Sequence, residues 1–299
     1  MALGSLHDTR LRPCEAAVME PLVWERRPTF ERPAIVAAFR GWNDAGRAAS
    51  GAVTHLRESW NAERFASIDP EEFFDFQATR PEVRLVDGET REIEWPMNEL
   101  LHARPGGRDV ILLDGVEPNT RWRTFCASIA GLARNAGAER FLALGAFLAD
   151  VPHRSPVALV GSLNDPVERD RLGLLPSNYD GPTGITGVLS NALAGEGLRS
   201  ESLWAAVPHY APNDDPKASL ALARTAAQVL GVSADLSELL PAADEWEREV
   251  DEVVAGNDSL TRYVSELEDA EEAESPSGDE IAAEVERFLR DQRPGNERP

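Results

Sequence analysis

Ala34-Ile35-Val36-Ala37-Ala38-Phe39-Arg40-Gly41-Trp42-Asn43-Asp44-Ala45-Gly46 is the stretch on which the fold turns. Its six leading apolar residues read as a strand buried on both faces, the pattern of a parallel sheet covered by helices. Gly41 permits a tight exit from that strand. Asn43 or Asp44 is placed to accept from the free N–H groups of a following helix. Ala45, Ala48, Ala49, Ala52, Val53, Leu56 and Trp60 then share one helical face. The local reading is strand, sharp loop, helix.

The same unit recurs outward along the chain. Asp109 to Leu113 is a second apolar strand, followed by a helix with Trp122, Phe125, Cys126, Ile129, Leu132 and Ala133 on its face. Phe141 to Leu148, Val157 to Val160 and Leu203 to Val207 are three further strands, and Leu22 to Glu25 is a short β-prone segment. Asn178 to Gly184 opens a helix running through Leu193, with Pro182 where a missing N–H is harmless. Asp214 to Gly231 is another helix, stopped by glycine. Val83 to Val86 and Arg91 to Trp95 flank Asp87-Gly88-Glu89, a hairpin expected at the sheet edge. Alternating strands and helices predict an α/β fold with a mostly parallel sheet covered by helices on both faces.

Four segments follow. Residues 1–19 read as a loose arm, 20–232 as the α/β domain, 233–270 as a helical acidic extension, and 271–299 as an acidic linker with a short terminal helix around Ile281, Val285, Phe288 and Leu289, partly disordered.

Composition narrows the chemistry. The 299 residues carry 52 acidic and 30 basic side chains, a net charge of −22, and 19 acidic against 6 basic residues lie in 241–299. Phosphate backbones and anionic membranes are repelled at long range, so no nucleic-acid partner is expected. Lys217 is the only lysine, in a segment that reads as an exposed helix start, which leaves a Walker loop or a Schiff-base enzyme without its essential residue. Cys14 and Cys126 are too few for a disulfide framework or a thiolate metal site. Met1 to Glu20 lacks a signal-peptide core, and no apolar run approaches the roughly 20 residues of a spanning helix. A soluble cytoplasmic protein is expected, with no cofactor, no metal and no membrane partner.

Gly-x-Ser-x-Gly, His-Glu-x-x-His and Cys-x-x-Cys are absent from the sequence, and Gly195-Glu196-Gly197-Leu198-Arg199-Ser200 follows a helix rather than a strand, the wrong order for a dinucleotide fingerprint. What remains is a set of polar residues at the carboxyl ends of the expected strands, where open sheets place their sites. Asp44, Asp114 and His153 are candidates for acid/base work. Gly41, Trp42, Asn43, Asp44, Glu117, Arg154, Asn178, Gly181, Thr183, Gly184 and His209 are candidates for binding. Arg154 could hold an anion, and the Asn178 to Gly184 loop could offer free N–H groups at a helix N-terminus. The plainer reading is that the Asp residues cap helices while His153 and Arg154 pair with neighbours, and that the Asn178 loop is an ordinary helix start.

Ile35 to Leu56, with its Gly-Trp-Asn-Asp-Ala-Gly core, resembles the PAC2 family, named for a proteasome assembly chaperone. Leu113-Asp114-Gly115-Val116-Glu117-Pro118, Gly181-Pro182-Thr183-Gly184-Ile185 and Val207-Pro208-His209-Tyr210 agree with it. The resemblance covers about residues 20–270, and the chain looks like the actinobacterial branch, whose acidic C-terminal extension would match residues 240–299. It implies a phosphorylase/hydrolase-like α/β fold and a role related to proteasome assembly, with proteasome subunits as protein partners, rather than established catalysis. Several members dock on proteasome α rings through a C-terminal hydrophobic-Tyr-x tail. This sequence reads Asn296-Glu297-Arg298-Pro299 there, a departure under which any α-ring contact would need another surface. The alternative is a hydrolase- or ligase-like enzyme using a carboxylate/His/Arg crevice at the strand ends. A symmetric homo-oligomer is expected in either case.

Overall fold

The computed structural model describes residues 21–274 apart from 87, 178, 212 and 213. The expected arm, the terminal helix and Cys14 fall outside the described residues. The chain begins with β1 (Leu22–Trp24) and β2 (Ala34–Arg40), then a 3-10 turn at Ala45–Arg47 that leads into α1 (Ala48–Ser59). There follow β3 (Glu63–Ile68), β4 (Glu82–Val86), β5 (Thr90–Glu94), β6 (Asn98–Ala103), β7 (Val110–Val116), α2 (Trp122–Ala136) and β8 (Arg140–Ala149). The second half holds β9 (Leu159–Ser162), α3 (Pro166–Arg171), β10 (Leu175–Pro176), α4 (Ile185–Gly195), β11 (Arg199–Pro208), α5 (Pro216–Leu230), α6 (Leu239–Ala255) and α7 (Asp258–Glu274). Among the described residues no helix is long and apolar enough to cross a membrane.

One sheet has the order β1-β3-β6-β7-β2-β8-β11-β9-β10. Its centre, β7-β2-β8-β11, is parallel. Antiparallel strands flank it on one side, and β9 runs antiparallel to β11 on the other. Alternation along β2 explains the layers. Ala34, Val36 and Ala38 pack with α1 and α5 on one face, while Ile35, Ala37 and Phe39 pack with α2 and α4 on the other. Glycine admits close neighbours at Gly145, where a Cβ would lie 2.4 Å from the Trp204 ring. β2 sends α1 to one face, whereas its neighbour β7 sends α2 to the opposite face. That divergence opens a crevice at the end of β2, the position where open sheets gather their sites.

Three expectations need correction. The hairpin is not at the edge of the main sheet: β4 and β5 form a separate two-stranded sheet, because the places beside β7 are taken by β6 and β3, two strands that no sequence pattern announces, with β1 at the edge. The segment after Val157 becomes β9, whose antiparallel course carries Asn164 to the start of β11, where its N–H donates to Glu201 Oε1 at 3.1 Å. Lys217 is not exposed but largely covered, with Nζ donating to His153 O and Glu247 Oε2, both at 2.6 Å.

α6 and α7 close the molecule against α5 and the loops after β8 and β11. Leu239 and Ala243 meet Leu220, and Trp246, Val250, Val254 and Val264 form a second small core with Tyr210, Leu260 and Tyr263 beside it. The spacing of Trp246, Val250 and Val254 places them on one stripe of α6.

Candidate functional site

The loop after β2 is shaped by its own residues. Gly41 has φ +136°, a conformation that costs other residues, and a Cβ there would lie 3.1 Å from Glu117 Cβ. Asp44 holds the start of α1: its Oδ1 accepts from Ala49 N at 2.8 Å and Ser50 N at 3.0 Å, and its Oδ2 accepts from Ser50 Oγ at 2.6 Å. Burial pushes the Asp44 carboxyl above its ordinary range, with these hydrogen bonds opposing the shift. Asn43 O accepts from Ala146 N at 2.8 Å, which ties the loop to β8.

Glu117 joins three loops. Its N–H donates to Arg40 O at 2.9 Å, and its Oε1 accepts from Asn43 Nδ2 at 3.4 Å and from Ile185 N at 2.8 Å. The carboxylate therefore caps α4, which starts at a residue without a side chain, Gly184, and the charge suits the positive helix end. The helix start that the sequence places at Pro182 lies a few residues later for this reason. Thr183 packs beside Gly187, and the Tyr179 hydroxyl donates to Pro182 O at 2.8 Å and crowds Gly181. Gly41, Asn43, Glu117 and Gly184 thus meet on one rim, with Trp42 and Asp44 flanking Asn43 in the chain and Gly181 and Thr183 leading into Gly184. Asn178 lies outside the described residues.

A second group is drawn to the helical extension. His153, 1% exposed, shares its Nε2 with Asp251 Oδ1 at 2.8 Å, and its backbone N–H donates to the Tyr210 hydroxyl at 2.8 Å. Arg154 pairs with Asp251 at 2.7 Å and Glu268 at 3.2 Å. His209 approaches Asp150 at 3.2 Å, and Asp150 accepts from the Tyr263 hydroxyl at 2.8 Å. The hydrogen bond from His153, with Arg154 adding to it, holds the Asp251 carboxyl below its ordinary range. These contacts seat α6 and α7 on the strand ends.

Asp114, on β7, faces α1, with its Oδ2 3.8 Å from Arg57 Nη1. Burial raises its carboxyl, opposed chiefly by Arg40 and reinforced by Glu99 and Asp44. Among the described residues no hydrogen bond or ion pair joins Asp44, Asp114 and His153 to one another.

Asp215 is a residue that the sequence reading passes over. It is 1% exposed, accepts from Ala218 N at 2.8 Å to cap α5, and donates its own N–H to Gly46 O at 2.6 Å. Burial pushes its carboxyl up to about 6. A folded-state pKa raised from 3.8 favours folding at low pH, and that contribution is lost as pH rises through about 6. Asp215→Asn keeps the capping oxygen without the charge. Between pH 4 and pH 7 its unfolding free energy is expected to gain up to about 3 kcal/mol on the parent. Urea unfolding across that window checks it, and parallel pH profiles would contradict it.

Around the rim stand apolar side chains that the fold leaves in solvent: Trp42 at 63% exposed, Tyr179 at 67%, Phe147 at 39% and Leu148 at 62%. Phe147 and Leu148 lie beyond the point where the ladder between β2 and β8 ends at Ala37 and Ala143, with only the Asp44 bridge to Ala146 past it.

These features define an open-sheet α/β protein whose strand ends form a rigid, partly apolar rim flanked by a docked helical extension. The PAC2 family profile matches residues 38–254. A PAC2 family protein of Streptomyces avermitilis is 43% identical, with 78% of this chain and 99% of that one covered and a TM-score of 0.70. A proteasome-assembly chaperone homologue of Mycobacterium tuberculosis is 45% identical, with 77% and 99% covered and a TM-score of 0.69. A Mycobacterium tuberculosis protein of unknown function is 26% identical, with 88% and 94% covered and a TM-score of 0.78. No curated protein matches the chain. The chain belongs to the PAC2 family.

Proposed function

We propose that this chain is a protein-binding factor of the cytoplasm that acts in proteasome assembly without catalysing a reaction, and that it meets its partner with the strand-end rim. The observation that carries the reading is the division of labour at the strand ends. Asp44, Glu117, His153 and Arg154 are engaged in holding loops and helices, while Trp42 and its apolar neighbours stand in solvent on a backbone fixed by those bonds. Exposed aromatic residues on a rigid support are the usual anchors of protein interfaces. Kinship with a proteasome-assembly chaperone homologue supports proteasome subunits as the partner.

Affinity capture from the host, followed by mass spectrometry, tests this. The parent is expected to enrich proteasome precursors, and Trp42→Ser to reduce that enrichment at least about tenfold, the scale of an interface anchor. Equal capture by both proteins would contradict the rim, and no proteasome subunit with either would contradict the partner. A symmetric homo-oligomer belongs to the same reading and is read from light scattering. The enzyme alternative is weaker because His153 is buried with both ring nitrogens taken, one by Tyr210 and one by Asp251, which leaves neither free for a substrate.

A further inference from the structure

A cavity of about 670 Å³ lies beside the rim, between the end of β2, α1, the start of α5 and α6. None of Trp42, Phe147, Leu148 and Tyr179 lines it, and its volume falls in the range that takes small organic ligands. Arg40, the last residue of β2, lines it from the body of the protein. A guanidinium stays protonated and carries only donors. The Arg40 Nε is buried and has no hydrogen-bond partner, and among the described residues the side chain makes no ion pair. Asp114 attracts it through space without a hydrogen bond. Arg47, just before α1, also lines the cavity. Its own partner, Asp214, is distant at 3.8 Å.

The opposite wall has the opposite sign. Glu245 and Glu249, one turn apart on α6, line the cavity on either side of Trp246. Glu245 is engaged with Arg248, whereas Glu249 has no hydrogen-bond or ion partner among the described residues. A simple anion would meet Glu249 and Asp214, and a simple cation would meet Arg40 and Arg47. A ligand with both charges satisfies both walls.

We propose that this cavity binds a short zwitterionic ligand, of the class of free di- and tripeptides, with its carboxylate on Arg40 and its ammonium group toward Glu249. Calorimetric titration of the full chain with Ala-Ala and Ala-Ala-Ala tests it, using the N-acetylated and C-amidated forms of the same peptides as controls. Free peptides are expected to bind, and either block to weaken binding at least about tenfold, the loss of one charge contact. Glu249→Gln, a change on an exposed helix face, should remove the discrimination against N-acetylation, and Arg40→Gln the discrimination against C-amidation. The proposal is overturned if neither free peptide binds at millimolar concentration, if blocked and free peptides bind alike, or if Glu249→Gln discriminates as the parent does.

Discussion

Replacing Trp246 by Ala is expected to lower the unfolding free energy by about 3–5 kcal/mol and to loosen the helical extension. The indole is 5% exposed and forms the small core with Val250, Val254 and Val264 that holds α6 against α7 and the loop at Tyr210. The exposed ion pair across the same boundary does not replace it. Arg154 and Asp251 are both substantially exposed, and ion pairs of that kind contribute little. The readouts are a lower midpoint in thermal unfolding and faster tryptic cleavage after Arg248 and Arg262. An unchanged midpoint with unchanged cleavage would mean that α6 is held by other contacts.

Gly184→Ala is expected to have the second large effect, about 2–3 kcal/mol of destabilisation, and for a different reason. Gly184 has φ −91° and ψ −171°, which alanine adopts freely, so the penalty is spatial. The added Cβ would lie 2.1 Å from Asn43 Nδ2 and 2.6 Å from Glu117 Oε1. Both side chains would have to move, and Glu117 would lose its hydrogen bond to Ile185 N, leaving the start of α4 uncapped. Thermal unfolding and amide exchange at Ile185 check this. A variant as stable as the parent, with Ile185 still protected, would show that the three loops are not joined through Glu117.

Much of this architecture was legible in the residues, and the exceptions have physical causes. β2, β7 and β8 announce themselves because strands buried on both faces are continuously apolar. β3 and β6 do not. β3 opens on the exposed pair Glu63-Arg64, and β6 mixes Asn98, Glu99 and His102 with its leucines. The exposed β4–β5 pair has cleaner alternation than β3 or β6, which is why the hairpin draws the attention. The course of β9 depends on how its connection returns across the sheet, a property that a short apolar run does not encode.

The site divides along the same line. Gly41, Asn43, Asp44, Glu117 and Gly184 are short-range features of loops at strand ends, and the structure links them. His153 is decided by Asp251, a residue 98 positions later, and no local pattern announces that partner. Asp215 escapes notice because a capping Asp in sequence looks the same whether it is exposed or buried, and its charge cost is set by a burial to which the close approach of Gly46 contributes. Arg40 reads as the polar end of a strand until α1, α5 and α6 surround it.

The most direct test of the rim as the working surface is a photo-crosslinking amino acid placed at position 42 and activated in the host, with cross-linked peptides read by mass spectrometry. The account predicts cross-links from position 42 to proteasome subunits. Cross-links to those subunits from the outer face of α7 but none from position 42 would contradict it.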